Sequence, residues 1–163
     1  MAQPRSPREV FYALVNAVAG GRTDELPGLY AARTDVVHPF DPLRAPALRT
    51  RDEIRDHFRS RGRSGQAEAG PPERRRAANI TIHETTDPEV IIAEFEYQGT
   101  AAGTGEQFTL PAIFVLRVRD GEIVSSRDYF DHLASARARG QLGELVAAIS
   151  AQTAAPAPAG QAT

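Results

Sequence analysis

Asp120-Gly121-Glu122-Ile123-Val124-Ser125-Ser126-Arg127-Asp128-Tyr129-Phe130-Asp131-His132 is the stretch that decides how this chain folds. It opens on Asp-Gly, a pair suited to a tight hairpin turn because both central positions favour φ > 0. The apolar run Ala112-Ile113-Phe114-Val115-Leu116-Arg117-Val118-Arg119 precedes it, and an alternating run follows. The spacing predicts a long antiparallel hairpin, the last two strands of a sheet. Side chains alternate faces along a strand, so Ser126, Asp128 and Phe130 share one face and Arg127, Tyr129 and Asp131 share the other. A carboxylate among apolar neighbours is either a solvated edge group or a working group in a pocket.

Working outward, the whole chain of 163 residues suits one domain with a single core, residues 6–151. Hydrophobic residues make up 41% and charged residues 25%, the balance of an ordinary globular protein. A formal net charge of −2 leaves no electrostatic footprint for nucleic acid. There is no Cys, which excludes disulfides and thiolate chemistry, and every basic residue besides His is Arg, which excludes a Schiff-base lysine. No apolar run reaches the ~18 residues of a membrane span, and the N-terminus lacks an apolar signal core. A cytoplasmic protein without a membrane partner is the expectation.

Ser6-Pro7-Arg8-Glu9 reads as a capping box that starts a helix, with Val10, Phe11, Leu14, Val15 and Val18 as its apolar stripe and Gly20-Gly21 as its end. A second short helix is predicted from Thr23 or Asp24, then a short strand from Asp35 to Phe40, in which Pro39 marks an edge strand or a strand end. Residues 41–49 read as a loop. Thr50 to Glu53 is a second capping box, opening a helix with Ile54 and Phe58 inward. Residues 60–77, with the run Arg74-Arg75-Arg76, read as a long mobile loop. Strands are predicted from Ala78 to Thr86, Val90 to Gly99 and Gln107 to Arg119, and a C-terminal helix over residues 134–150. Residues 1–5 are expected to be flexible and the Ala/Pro-rich tail from 152 to 163 disordered. Helices first and strands last imply an α+β fold: a curved antiparallel sheet wrapped around helices, a cone with an internal apolar pocket.

At this level the chain resembles the SnoaL-like, nuclear-transport-factor-2-like superfamily of ketosteroid isomerases, limonene-type epoxide hydrolases and polyketide cyclases. The resemblance covers residues 7–133. It rests on Leu29-Tyr30-Ala31, Val36-Val37-His38-Pro39-Phe40, Arg51-Asp52-Glu53-Ile54, and the closing run from Asp120 to Asp131. The ending Arg127-Asp128-Tyr129-Phe130-Asp131 is similar to the epoxide-hydrolase branch, whose closing Asp activates water. The Arg and second Asp of that branch would fall at Phe95 and Tyr97, so its relay is absent. In the isomerase branch the base is an Asp before a Pro; here that place is His38, before Pro39, and the oxyanion-hole Tyr falls at Leu14. Tyr30 matches a supporting tyrosine of the same branch.

His38 and Asp128 remain, and the resemblance implies that both face the cavity. The expectation is an acid/base dyad in which Asp128 orients the imidazole and stabilises its cation, with Tyr97 donating to a developing oxyanion. The plainer readings stand beside it: a structural histidine at His38, and a pocket wall at Tyr97. The expected pocket is lined by Leu14, Tyr30, Phe40, Phe58, Phe95, Leu110, Ala112, Phe114 and Phe130, and would hold a flat or polycyclic apolar substrate. His57, His83 and His132 are expected at the surface. No metal motif, dinucleotide fingerprint or nucleophile elbow is present, so neither a metal nor another cofactor is expected. The function implied is a cyclase, isomerase or epoxide-opening enzyme on a polyketide- or terpene-like metabolite; the alternative is a non-catalytic ligand-binding or assembly module. By the same resemblance, a homodimer is expected through the outer sheet face, which should carry Val115, Arg117, Arg119 and Tyr129.

Overall fold

The computed structural model describes residues 3–66 and 73–154, with the backbone alone for residues 61–66. Helix α1 (Pro7–Ala19) starts where its capping chemistry places it: Ser6 Oγ accepts from the Glu9 N–H at 3.3 Å, and Glu9 Oε2 accepts from the Ser6 N–H at 2.8 Å. Its buried stripe of Val10, Phe11, Leu14 and Val15 packs against strands from the centre and far edge of the sheet. The expected second helix is a single 3-10 turn, Leu26–Leu29.

Strand β1 (Arg33–Val37) stops short of the predicted Phe40. Pro39 offers no N–H, and the His38 carbonyl accepts from the Asp41 N–H at 3.0 Å, so the chain turns there. Part of the predicted loop is a short strand, β2 (Leu48–Thr50), antiparallel to β1. Helix α2 (Arg51–Gln66) opens on its capping box, with Thr50 and Glu53 exchanging two hydrogen bonds of 3.2 Å. It runs on into the stretch expected as a loop, and β3 (Arg74–Glu84) takes the other end of that stretch. The arginine run is therefore strand, stabilised by pairing with the next strand; residues 67–72 lie outside the described residues.

Strands β4 (Val90–Thr100), β5 (Gln107–Arg119) and β6 (Glu122–Phe130) complete a six-stranded sheet in the order β2-β1-β6-β5-β4-β3. The β5–β6 hairpin turns through Asp120 at φ 51° and Gly121 at φ 78°, the two positive values that Asp-Gly predicts. One pairing corrects the wholly antiparallel expectation. β1 runs parallel to β6, with Val36 opposite Ser126, because it enters the sheet from the helical layer and not through a hairpin. Gly99 is required where it stands: a Cβ there would come 1.8 Å from the Arg74 carbonyl oxygen of the edge strand.

The predicted C-terminal helix is two, α3 (His132–Ala138) and α4 (Leu142–Ala154), separated where Gly140 adopts φ 70°. α4 extends past the predicted start of the tail. Residues 155–163, and residues 1–2 of the expected flexible N-terminus, lie outside the described residues. The architecture is α+β, as expected, with helices on one face of the sheet and a core of α1 and the inward residues of β4, β5 and β6. No helix among the described residues is long and apolar enough to cross a membrane.

Candidate active site

Alternation along β6 turns Ser126 and Asp128 into the core, where they are 1% and 6% exposed. A carboxylate in such a place needs partners. Ser126 Oγ donates to Asp128 Oδ1. The second carboxylate oxygen, Oδ2, lies 3.7 Å from Nε2 of His38, which the turn after β1 delivers from the neighbouring strand. Both side chains are largely buried.

Aromatic rings enclose the imidazole. His57, from α2, stacks on His38 with ring centroids 5.7 Å apart and planes within 22°. Phe130 meets His38 edge-on at 5.6 Å, and His132 does so at 6.1 Å. His132 itself stacks on Phe130 at 4.0 Å. Three imidazoles and one buried carboxylate thus share one corner. Beside them on the same sheet face, Phe95 is the hub of an aromatic wall, edge-on to Phe11, Tyr97 and Phe114. Tyr30 is buried within reach of both ends of this site. Burial, and then the nearby Asp128 carboxylate and Tyr97 phenol, push its phenol well above the ordinary tyrosine value, so Tyr30 stays a neutral hydroxyl. An imidazole 3.7 Å from a buried carboxylate and next to aromatic rings has the parts for moving a proton on a hydrophobic molecule. Among the described residues no group of His, Asp and Glu side chains could hold a metal ion.

The family model of the SnoaL-like domain matches residues 11–126. The chain belongs to the SnoaL-like domain family. An uncharacterized PhzA/B-like protein of Pseudomonas aeruginosa is 37% identical over 65 residues, 40% of this chain and 46% of that one. The matched stretch is therefore less than half of the relative's length. A candidate isomerase of Bacillus subtilis superposes with a TM-score of 0.70 at 21% identity, covering 82% of this chain and 92% of that one. A candidate polyketide cyclase of Pseudomonas putida does so with a TM-score of 0.62 at 15% identity, covering 82% and 98%. At such identities the likeness is one of fold.

Within this SnoaL-like domain, most of the residues expected to line a pocket do lie in the interior. Leu14, Tyr30, Phe95, Leu110, Ala112 and Phe114 are buried, and Phe58 and Phe130 are partly so. Tyr97 is buried beside Tyr30 and two strands from Asp128. Phe40 is a correction. It is 68% exposed, because the turn at His38 breaks the strand alternation and swings its ring outward onto Tyr129, 5.3 Å away. His57 and His132 are corrections of the opposite kind, since neither is a plain surface residue. The signal for His57 was present: Ile54, His57 and Phe58 stand at i, i+3 and i+4, one helix face. For His132 no sequence signal exists, because its position depends on where β6 ends and Asp131 caps α3. His83 is exposed as expected, with Nε2 3.1 Å from Glu94 Oε2.

A groove of about 670 Å³ runs along the sheet, lined by outward residues such as Phe40, Pro111, Ile113, Tyr129 and Leu133 and also by Phe95, Ala112, Phe130 and His132, so it borders the rings around His38.

Proposed function

We propose that this SnoaL-like domain is a cofactor-independent acid/base enzyme acting on a small apolar, polyketide- or terpene-like metabolite. The observation that carries the reading is the buried His38–Asp128 pair, 3.7 Å apart, set beside aromatic rings. His38 takes a proton from a carbon acid, hydroxyl or water, and Asp128 orients the ring and stabilises the cation that forms. Tyr97 donates to the oxyanion that develops, with the neutral phenol of Tyr30 behind it. Cyclisation or isomerisation of a ketone uses these parts directly. The family and the cyclase- and isomerase-type names among its structural neighbours support that class by analogy. Epoxide opening uses the same base acting on water, without the Arg and second carboxylate that Phe95 and Tyr97 replace.

The test is a mutant cycle of His38→Gln, Asp128→Asn and the double variant, assayed by mass spectrometry against a panel of polycyclic β-diketones, enones and terpene epoxides. Each single change should lower kcat/KM by about 10²- to 10⁴-fold, and the double variant should be little worse than the singles. Full turnover by either single variant rejects the dyad. The missing epoxide-hydrolase relay favours one other reading, a non-catalytic ligand-binding or assembly module. It predicts saturable binding without turnover.

Self-association belongs to the same proposal. Phe40, Ile113 and Leu133 are exposed along the groove, and covering them with a second copy of this face would remove apolar surface from water. A monomeric mass by light scattering would reject the dimer.

A further inference from the structure

A second charged cluster stands at the far edge of the aromatic wall. Glu73, just ahead of β3, is clasped by two guanidinium groups. Arg75 donates to Oε1, and Arg139 donates to both oxygens, from Nε to Oε2 at 2.9 Å and from Nη2 to Oε1 at 3.2 Å. All three side chains are mostly buried, with exposures of 19% for Glu73, 21% for Arg75 and 26% for Arg139. Arg75 lies two residues before Ala77, the partner of Tyr97, and so shares its inward face. The Arg75 guanidinium sits over the Tyr97 ring, 5.4 Å from its centroid. Arg139, at the C-terminal end of α3, also donates to Ser135 Oγ.

Removing three charges from water is costly, and apolar replacements of such triads are often neutral or stabilising. Stability alone is thus a weak reason for the cluster. Its chemistry is that of carboxylate recognition, for which planar guanidinium forks are suited. Glu73 is also free of the strand ladder: β3 begins at Arg74 and is an edge strand, so swinging Glu73 aside breaks no strand pairing.

We propose that Arg75 and Arg139 form a carboxylate-binding subsite of the pocket, in which Glu73 occupies the place of a ligand carboxylate, and that the substrate is an aromatic or polyene carboxylic acid. Across the sheet β3 and β6 are three strand spacings apart, about 14 Å, and along it Arg75, in the row of Gly99 and Phe108, stands six residues from the row of Phe114 and Asp128, about 20 Å. An acid anchored by Arg75 above Tyr97 therefore has to be long to reach toward His38 and Asp128, an extended polyene or a run of several fused rings. The substrate assignment rests on the reading of that pair as the reacting groups.

The test is calorimetric titration of the full chain with 2-naphthoate and with its neutral methyl ester. The acid should bind about tenfold or more tightly than the ester. Arg75→Gln and Arg139→Gln should each weaken the acid about tenfold and leave the ester unchanged, whereas Glu73→Gln should tighten the acid by removing its internal competitor. The Glu73 gain guards against misfolding as the cause of the losses. His38→Gln should leave the affinity for the acid within a few-fold, so failure of the dyad and failure of the subsite are told apart. No binding of the acid, equal affinity for acid and ester, or indifference to all three substitutions overturns the proposal.

Discussion

The two faces of the β5–β6 hairpin carry the same kinds of residues and use them oppositely. On the inner face, Ser126 and Asp128 interrupt an apolar wall, and every polar atom there must be matched by another: Ser126 Oγ on one carboxylate oxygen, His38 on the side of the other. On the outer face, charges pair with water at hand. Arg117 bonds Asp87 and Glu89 at 2.8 and 2.9 Å, Arg119 bonds Glu89 at 2.8 Å, and Arg127 reaches Asp35 at 2.8 Å. Exposed ion pairs of this kind are worth little each, because solvent screens them and side-chain entropy opposes them. A buried carboxylate is different, since losing one partner leaves it uncompensated. The contrast is the ground for the proposed site: the inner polar group is the one the fold holds at a cost.

The comparison can be broken at several points. The largest effect is expected at Asp128, where Asn should lower turnover by about 100-fold or more, while Arg119→Gln on the outer face should leave kcat/KM within a few-fold. Equal losses from the two would end the distinction. Packing should separate the faces next. Phe11→Ala empties a fully buried position and should cost about 3–5 kcal/mol in urea unfolding, whereas Phe40→Ala, at 68% exposure, should change monomer stability by less than about 0.5 kcal/mol. Any effect of Phe40→Ala should show in the oligomer mass.

Ser126→Ala is expected in the middle of the range. It removes the hydroxyl from Asp128 and should destabilise the domain by about 1–3 kcal/mol, read by the same unfolding assay. A null result would mean that the carboxylate finds water instead. The smallest effect is expected from the outer ladder. Hydrogen bonds from Arg119, then Arg117, hold the Glu89 carboxyl down to about 2, against 4.5 for the free group. A depressed folded-state value stabilises above the unfolded value and is lost as pH falls through the folded one, here from 4.5 down to about 2. Glu89→Gln should flatten the stability–pH curve in that window and change little at neutral pH.

How much of this was legible beforehand varies by element. The Asp120-Gly121 turn, the alternation of β6 and the capping boxes at Ser6 and Thr50 were readable because each is a local rule with a local cause. The limits of β1 and the path of residues 60–77 were not. A single turn bond at His38 ended the strand early, and the polar, Gly-containing stretch gave no apolar period to mark the end of α2 or the start of β3. His57 could have been placed inward from its i+3 spacing to Ile54; the inward turn of His132 and the outward turn of Phe40 could not.

The family resemblance implied that Asp128 faces inward; by itself, then, the sequence determined the hairpin, the α+β order and which residues share a face with Asp128. Those follow from periods of two and of 3.6 residues and from turn chemistry, which act over a few neighbours. The tertiary structure alone decided that His38 meets Asp128, that β1 lies parallel to β6, and that Glu73, Arg75 and Arg139 converge over Tyr97. His38–Asp128 and Val36–Ser126 each join residues 90 positions apart and Glu73–Arg139 joins residues 66 apart, and no local rule reports on partners so distant along the chain.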